Sequence, residues 1–257
     1  MNSTLIQWCH RLLHLTLPNA CLWCELPVQH AEAQLCHYCQ ASLPRLSLEI
    51  VHHNALGLPA IKRGLPHAQF DQLLSLSWYQ HPWQRWITQW KFHQDLACGA
   101  VLMQLFQDGF REWQSTLQVD AVCYVPMHQQ RQHLRGFNQA QQLAEIAAAQ
   151  LGLPLLHLFH VNADHPSQVG QNRQQRRANL RKQFRLQNHG ALPSRLLLID
   201  DVVTTGATAN ALCRLLRKRQ VSYIALASLA VTKAPGTLAG LYLKPQVYSA
   251  SPSPPSC

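Results

Sequence analysis

The chain's clearest chemical signal is a stretch of thirteen residues, Leu196 to Thr208. It contains two adjacent carboxylates, Asp200 and Asp201, which can accept hydrogen bonds from vicinal hydroxyls. A turn of small and hydroxylated residues follows, and its backbone N–H groups can surround a phosphate. The residues of this turn are Thr204, Thr205, Gly206, Ala207 and Thr208. The stretch therefore predicts a site for a sugar phosphate.

These groups need a strand, a turn and a helix to position them. Four aliphatic residues, 196–199, are typical of a parallel strand that is covered on both faces. The acids would then lie where the strand leaves the sheet, which is where open α/β sheets bind ligands. Gly206 can adopt positive φ, and the pattern after it is helical. The alternative is an ordinary strand-to-helix turn with threonine as the helix cap.

The order of hydrophobic strand, Asp-Asp, Val-Val and Thr-Thr-Gly-Ala-Thr resembles the phosphoribosyl pyrophosphate (PRPP) motif of type I phosphoribosyltransferases. This resemblance implies that Asp200 and Asp201 contact the ribose hydroxyls. It also implies that residues 204–208 hold the 5′-phosphate.

Four cysteines near the N-terminus form two C-x2-C pairs separated by eleven residues. They are Cys21, Cys24, Cys36 and Cys39. Two pairs of thiolates on tight turns can complete the tetrahedral shell that structural zinc prefers. The short gap leaves His30 or His37 as possible replacement ligands, and a redox CxxC or inert thiols are the other interpretations. A closed site of four ligands predicts support of folding and not catalysis.

Composition limits the class of protein. With 257 residues and 47% hydrophobic content, the chain can bury a full core. No run approaches 18 apolar residues, and the N-terminus lacks the pattern of a signal peptide, so we expect a cytoplasmic protein without membrane insertion. Nine cysteines, three of them in apolar segments (Cys98, Cys123 and Cys213), favour a reducing compartment.

The positive charge is concentrated in one part of the chain. The net charge is +10, and the segment from Pro126 to Arg219 holds thirteen Lys or Arg against four acids, an excess of +9. Such a surface attracts polyanions, either pyrophosphate esters or nucleic acid, and charge alone does not choose between them.

Hydrophobic periodicity predicts an alternation of strands and helices. We expect strands at 73–79, 119–125, 153–159, 196–199 and 221–229, and helices at 5–17, 83–114, 139–151 and 208–219. Trp83, Trp86 and Trp90 share one helix face, where core packing is a more common role than base stacking. The resulting fold class is α/β, a doubly wound and mainly parallel sheet. We expect a helix and zinc module at 1–45, a phosphoribosyltransferase-like domain at 46–245 and a disordered tail at 246–257.

Taken together, the motifs resemble the ComF/GntX family of phosphoribosyltransferase-like proteins, whose bacterial members are associated with natural competence. The resemblance covers residues 18–232. It includes Lys91-Phe-His-Gln-Asp95, with Gln94 where the family commonly has glycine, and the block from Val125 to Ala140. In related enzymes the loop of that block holds pyrophosphate. This implies contacts from the backbone at Met127 and His128 and from the guanidiniums of Arg131 and Arg135; a solvated basic loop is the alternative.

A third block, Gln168 to Phe184, also matches the family. In glutamine amidophosphoribosyltransferases the corresponding segment is a mobile loop that closes over PRPP. This implies that Arg176 supplies positive charge as pyrophosphate departs. The alternative is a solvated helix or one that faces nucleic acid.

The resemblance implies Mg²⁺-dependent transfer of a phosphoribosyl group with release of pyrophosphate, and Asp200, Asp201 and Arg176 are the expected catalytic residues. Zn²⁺ would be structural and Mg²⁺ would accompany PRPP. The acceptor is not indicated, and the N-terminus has no Cys glutaminase signature.

A second hypothesis is a non-catalytic PRPP-binding accessory protein that binds single-stranded DNA and works with the DNA-uptake machinery. A vestigial nucleotide site on a zinc protein is a third.

Overall fold

The structure is a computed structural model that describes residues 19–28, 33–162, 183–187 and 190–234. The chain divides into two compact units, with a boundary between Ser47 and Leu48. The predicted helix at 5–17 and the predicted tail lie outside the described residues. Within the described ranges, no helix is both long and apolar enough to cross a membrane.

The first unit is built around the cysteines. A bridge between Ala20 and Pro27 closes the turn that carries the first C-x2-C pair. The second pair begins at Cys36, whose sulfur accepts a hydrogen bond from the Cys39 N–H at the start of helix α1, His37–Ala41. Each pair therefore sits on a tight turn, as the spacing predicts.

The second unit is an α/β domain. Its strands are β1 Gln72–Trp78, β2 Ala121–Tyr124, β3 Leu155–Leu156, β4 Phe159–Val161, β5 Phe184–Leu186, β6 Arg195–Val203 and β7 Tyr223–Val231. Its helices are α2 Pro59–Gly64, α3 Trp83–His93, α4 Leu96–Trp113, α5 Gln129–Arg135, α6 Gln139–Leu151 and α7 Ala207–Arg217. Five strands form one sheet in the order β1-β7-β6-β2-β3, and every pair in it is parallel.

The sheet is doubly wound. From β2 the chain passes through α6 to β3 on one side, and from β6 it passes through α7 to β7 on the other. Right-handed crossovers in opposite directions place α6 and α7 on opposite faces. Both faces of the central strands are thereby covered, and all seven residues of β1 are buried. The predicted α/β fold class, with a small N-terminal cysteine module, is confirmed.

The region predicted as one helix, 83–114, is two helices joined at a sharp turn. Gln94 adopts a left-handed conformation with φ 53°, and the Asp95 side chain caps α4 by accepting from the Cys98 N–H at 3.0 Å. Trp83, Trp86 and Trp90 are all at most 1% exposed. The tryptophan face is therefore core, as predicted.

The predicted strand at 153–159 was wrong in its extent. Only Leu155 and Leu156 pair with β2. The chain then leaves the main sheet, and β4 pairs with β5 in a separate antiparallel ribbon. An apolar run of this length was compatible with either arrangement because periodicity does not reveal a strand's partner.

Candidate functional site

The site lies where the direction of winding changes. β2 and β6 are neighbours, and the loops that follow them lead to opposite sides of the sheet. Such a point opens a crevice at the carboxyl ends of the strands, where ligands bind in doubly wound folds. The two predicted ligand loops, after β2 and after β6, are the loops that border this crevice.

The acid pair is built into β6. Asp200 and Asp201 do not follow the end of the strand, as the sequence suggested, because β6 continues to Val203 through its pairing with β7. Pairing with β2 ends at Ile199, whose carbonyl accepts from the Val125 N–H at 2.9 Å. The acids therefore lie where β6 loses one neighbour and keeps the other, which holds their backbone rigid beside the crevice.

The two acids differ in electrostatics. Burial raises the pKa of the Asp200 carboxyl to about 8, and the charge of Asp201 adds to this effect while Lys91 opposes it. Asp200 Oδ1 accepts from the Asp201 N–H at 2.9 Å. Asp200 therefore favours its neutral form, and Asp201 carries the charge that pairs with Lys91.

Lys91 contacts this charge directly. Its Nζ lies 2.7 Å from Asp201 Oδ2, and the two side chains are only 17% and 15% exposed. The lysine comes from the last turn of α3. Sequence reasoning identified the motif that contains Lys91 but gave the residue no role. The only signal was the match of that motif to the family pattern.

The loop after β6 has the predicted form. Gly206 has φ 65° and precedes α7, and its carbonyl accepts from the Asn210 N–H at 2.8 Å. A Cβ at Gly206 would lie 2.8 Å from Leu65 Cδ2. Thr204 and Thr205 are exposed, and Ala207 and Thr208 in the first turn of α7 are half-buried. The predicted phosphate residues thus form one turn at a helix N-terminus.

The loop after β2 holds two of the predicted arginines on helix α5. His128 caps this helix by accepting from the Gln130 N–H at Nδ1, and Met127 before it is half-buried. Arg131 is exposed, whereas Arg135 is half-buried with its guanidinium 4.7 Å from the centre of the Phe92 ring.

Arg135 lies within the electrostatic influence of the acid pair. Burial lowers the pKa of Arg135, the Asp201 carboxylate raises it, and Arg131 lowers it. Gln94 Nε2 donates to the Leu134 carbonyl at 2.9 Å, so the end of α3 is tied to the end of α5. Lys91, which contacts Asp201, and Arg135, which only feels its charge, therefore lie on two connected elements. Arg176, the third predicted arginine, lies outside the described residues.

The cysteine cluster in the first unit fits a metal. The four sulfurs all lie within 4.8 Å of one another. Tetrahedral zinc with bonds of about 2.3 Å would separate its sulfurs by about 3.8 Å, and Cys24 Sγ and Cys36 Sγ are 3.7 Å apart. The Cys36 N–H donates to Cys21 Sγ at 3.3 Å, a contact that stabilises a thiolate. His37 is exposed and outside the cluster, and His30 is not among the described residues. This cluster could hold a zinc ion.

Comparison with solved structures gives distant likenesses to phosphoribosyltransferases. An adenine phosphoribosyltransferase has a TM-score of 0.33 at 13% identity, over 55% of this chain and 82% of that one. A hypoxanthine phosphoribosyltransferase from Staphylococcus aureus has a TM-score of 0.35 at 11% identity, over 56% and 71%. The fold is assigned from the strand order of the sheet and not from these low scores. No family model matches the chain.

Sequence relatives are more informative. The chain is 32% identical to Competence protein F of Haemophilus influenzae over 63% of its own length and 73% of that protein. It is 27% identical to Competence protein ComFC of Streptococcus pneumoniae, over 54% and 59% of the two chains. It is 32% identical to the DNA utilization protein YhgH of Salmonella typhimurium, over 57% and 66%. With most of Competence protein F matched, the chain belongs to the ComF family.

Proposed function

We propose that the chain binds PRPP in the crevice between β2 and β6 and transfers its phosphoribosyl group to an acceptor, with release of pyrophosphate. The observation that carries this proposal is the position of Asp200 and Asp201. They lie in β6 at the point where its pairing with β2 ends, shortly before the Gly206 turn and the N-terminus of α7. One strand-turn-helix unit therefore offers two kinds of group. Its carboxylates can accept hydrogen bonds from the ribose hydroxyls, and its turn can bind the 5′-phosphate at the other end of a ribose 5-phosphate.

Each part of the ligand would meet a different group. Asp201 accepts hydrogen bonds from the ribose hydroxyls, and Asp200, held protonated by burial, accepts or donates beside it. Residues 204–208 hold the 5′-phosphate with backbone N–H groups and threonine hydroxyls. The helix dipole of α7 favours the negative charge there.

The reaction needs stabilisation of the leaving group above all. The bond between the anomeric carbon and the diphosphate oxygen breaks, its electrons stay with pyrophosphate, and a nucleophile of the acceptor bonds to the cationic ribose carbon. Arg131 and Arg135, with N–H groups at Met127 and His128, would neutralise the departing diphosphate. Arg176 would add further positive charge.

The acid pair does not fit Mg²⁺ as it stands. Asp201 Oδ2 is bound by the Lys91 ammonium, and Asp201 Oδ1 accepts from the Val202 N–H at 2.6 Å. Burial raises the pKa of the Asp200 carboxyl, which favours its neutral form. The expected Mg²⁺ would therefore be brought by the diphosphate of PRPP.

Pyrophosphate release tests the proposal. The protein is incubated with PRPP and each of a panel of bases and nucleotides, with and without DNA. We expect release with at least one acceptor and at least tenfold less with Asp201→Asn, because a charge-assisted contact to the ribose is lost, worth about 1.5–3 kcal/mol. Asp108→Asn, on the surface of α4, is the matched control. Equal release by Asp201→Asn and the native chain would show that the acid pair is not the site.

A second candidate is a PRPP-binding accessory protein that contacts single-stranded DNA without catalysis. The names of the relatives, which refer to competence and DNA utilization, favour it. The positive excess between Pro126 and Arg219 also suits nucleic acid. A rise in melting temperature with PRPP, together with DNA binding and no pyrophosphate release from any acceptor, would favour this function over the enzyme.

A further inference from the structure

The ion pair between Lys91 and Asp201 determines the charge of the candidate site. Both side chains are mostly buried, and the 2.7 Å separation is a charge-assisted hydrogen bond. Of the two Asp201 oxygens, Oδ2 faces the ammonium and Oδ1 accepts the Val202 N–H. The carboxylate is therefore already compensated before any ligand arrives.

The balance between the charges of Asp201 and Lys91 affects binding because the expected ligand is an anion. Two ionised acids beside a phosphate cradle would repel it, and a divalent cation would then be needed to bring acids and phosphates together. Here burial keeps Asp200 neutral and Lys91 balances Asp201. The acids can accept hydrogen bonds from hydroxyls without adding net negative charge to the crevice.

The fold holds Lys91 in place from several directions. Trp90, its neighbour in α3, is buried and stacks with Phe137 at 5.8 Å between ring centres. Gln94 ties the end of the same helix to Leu134 at 2.9 Å. The ammonium is thus preorganised at Asp201, so its position costs little on binding.

We propose that Lys91 is a further binding residue of this site, an internal cation that neutralises the acid pair so that a ribose 5-phosphate group binds without a divalent cation. The inference rests on the proposed function, because it concerns the same crevice. The ammonium stays on Asp201 Oδ2 and balances the acid pair while Asp201 accepts hydrogen bonds from the ribose hydroxyls.

The test measures thermal shifts and Kd with ribose 5-phosphate and with PRPP, each in EDTA and in Mg²⁺ at one ionic strength. The variants are Lys91→Met, which removes the charge, and Lys91→Arg, which keeps it. Lys218→Met is the matched control, since it removes an exposed lysine at the other end of α7 from Gly206.

We expect the native chain to bind both ligands in EDTA. Lys91→Met should bind about tenfold or more weakly there, as for loss of a hydrogen bond to a charged group, and should regain part of the affinity in Mg²⁺. Lys91→Arg and Lys218→Met should retain binding in EDTA.

The outcomes separate this inference from the proposed function. Native binding in Mg²⁺ that disappears in EDTA would overturn the role of Lys91 and leave the PRPP site intact. Equal affinity of Lys91→Met and the native chain in EDTA would also overturn it. No binding of either ligand under any condition would remove the site itself and the inference with it. If Lys91→Met fails to fold, the native measurement in EDTA still decides.

Discussion

Asp200 is a carboxyl group that the fold keeps protonated. Its pKa is raised to about 8 by burial and by the charge of Asp201, compared with about 3.9 for an unfolded Asp. Between these values the folded chain binds a proton that the unfolded chain has lost. The contribution of Asp200 to stability is therefore present at low pH and is lost as pH rises towards 8.

We predict that Asp200→Asn stabilises the protein at pH 8 by on the order of 1–3 kcal/mol and leaves stability near pH 4 nearly unchanged. The amide is neutral at all pH values, and its oxygen can still accept from the Asp201 N–H. Urea unfolding of both chains across pH 4–8 measures the difference in free energy. Asp108→Asn, whose carboxylate forms an exposed pair with Arg111, should change stability by about 0.5 kcal/mol or less throughout. A constant difference between Asp200→Asn and the native chain would show that Asp200 does not titrate abnormally.

At this scale the sequence predicted the acids and the glycine turn but not the contacts of the acids. Asp200, Asp201 and Gly206 are neighbours in the chain, so one local motif contains them. Lys91 is far from them in sequence, and only the packing of α3 beside the end of β6 brings it to Asp201. Contacts between distant elements depend on topology and register, which local pattern does not contain.

The β6–α7 turn has a strict backbone requirement. Gly206 has φ 65°, a conformation that costs other residues energy, and its Cβ position is 2.8 Å from the end of the Leu65 side chain. We predict that Gly206→Ala lowers the free energy of unfolding by about 1–2 kcal/mol. We also predict a smaller rise in melting temperature with PRPP, because the strained turn presents its N–H groups less well.

Gly152 provides a matched control for this prediction. It has φ 64° at the end of α6, and no atom of the described residues lies within 4 Å of its Cβ position. Gly152→Ala should lose similar stability but keep the full PRPP shift. If both variants keep the shift, the β6–α7 turn does not hold the phosphate.

The cysteine module yields a prediction about metal. Four sulfurs within 4.8 Å of one another would repel as thiolates unless a cation joins them. We predict about one zinc per chain in protein purified without chelators, measured by elemental analysis. A Cys21→Ser and Cys24→Ser double variant should lose the metal and the folding of the first unit, whereas Cys98→Ser, in the second unit, should keep the metal. A double variant that folds normally, with no metal in either form, would contradict a structural zinc site.

Element types were largely predictable and their ends and partners were not. The helix at 139–151 was predicted at the bounds the structure shows, because Asn138 caps its start and Gly152 follows its end. Periodicity missed the break at Gln94 because the apolar period continues through it, although the family pattern has a glycine-containing turn at this position. The β4–β5 ribbon was missed because its two strands are short and far apart in sequence.

Across the whole molecule, not every basic side chain is available to a ligand, because some of them form contacts within the fold. Arg214, Arg217 and Lys218 lie on one face of α7 by helical spacing, a stripe that could follow a phosphate backbone. Arg217, however, donates to Asp71 at 2.6 Å and to the Val221 carbonyl at 2.9 Å. Its guanidinium joins α7 to the starts of β1 and β7 and is less available to a ligand. The stripe is therefore Arg214 and Lys218, with Arg217 as a structural residue between them.

The different roles of Arg217 and of the Arg214–Lys218 stripe lead to a prediction about the binding of single-stranded DNA. If the basic face binds phosphates, the logarithm of the binding constant falls with the logarithm of salt concentration, with a slope of about −0.7 per phosphate engaged. We predict that Arg214→Gln with Lys218→Gln flattens this slope and leaves the PRPP shift nearly intact, since both residues lie at the far end of α7 from Gly206. Arg217→Gln should change the slope less and reduce stability more, because it removes the pair with Asp71. Fluorescence anisotropy of a labelled oligonucleotide across a salt series measures the slopes. Absence of binding at low salt would mean that the positive excess serves the diphosphate site alone, and the enzyme would then be favoured over the accessory protein.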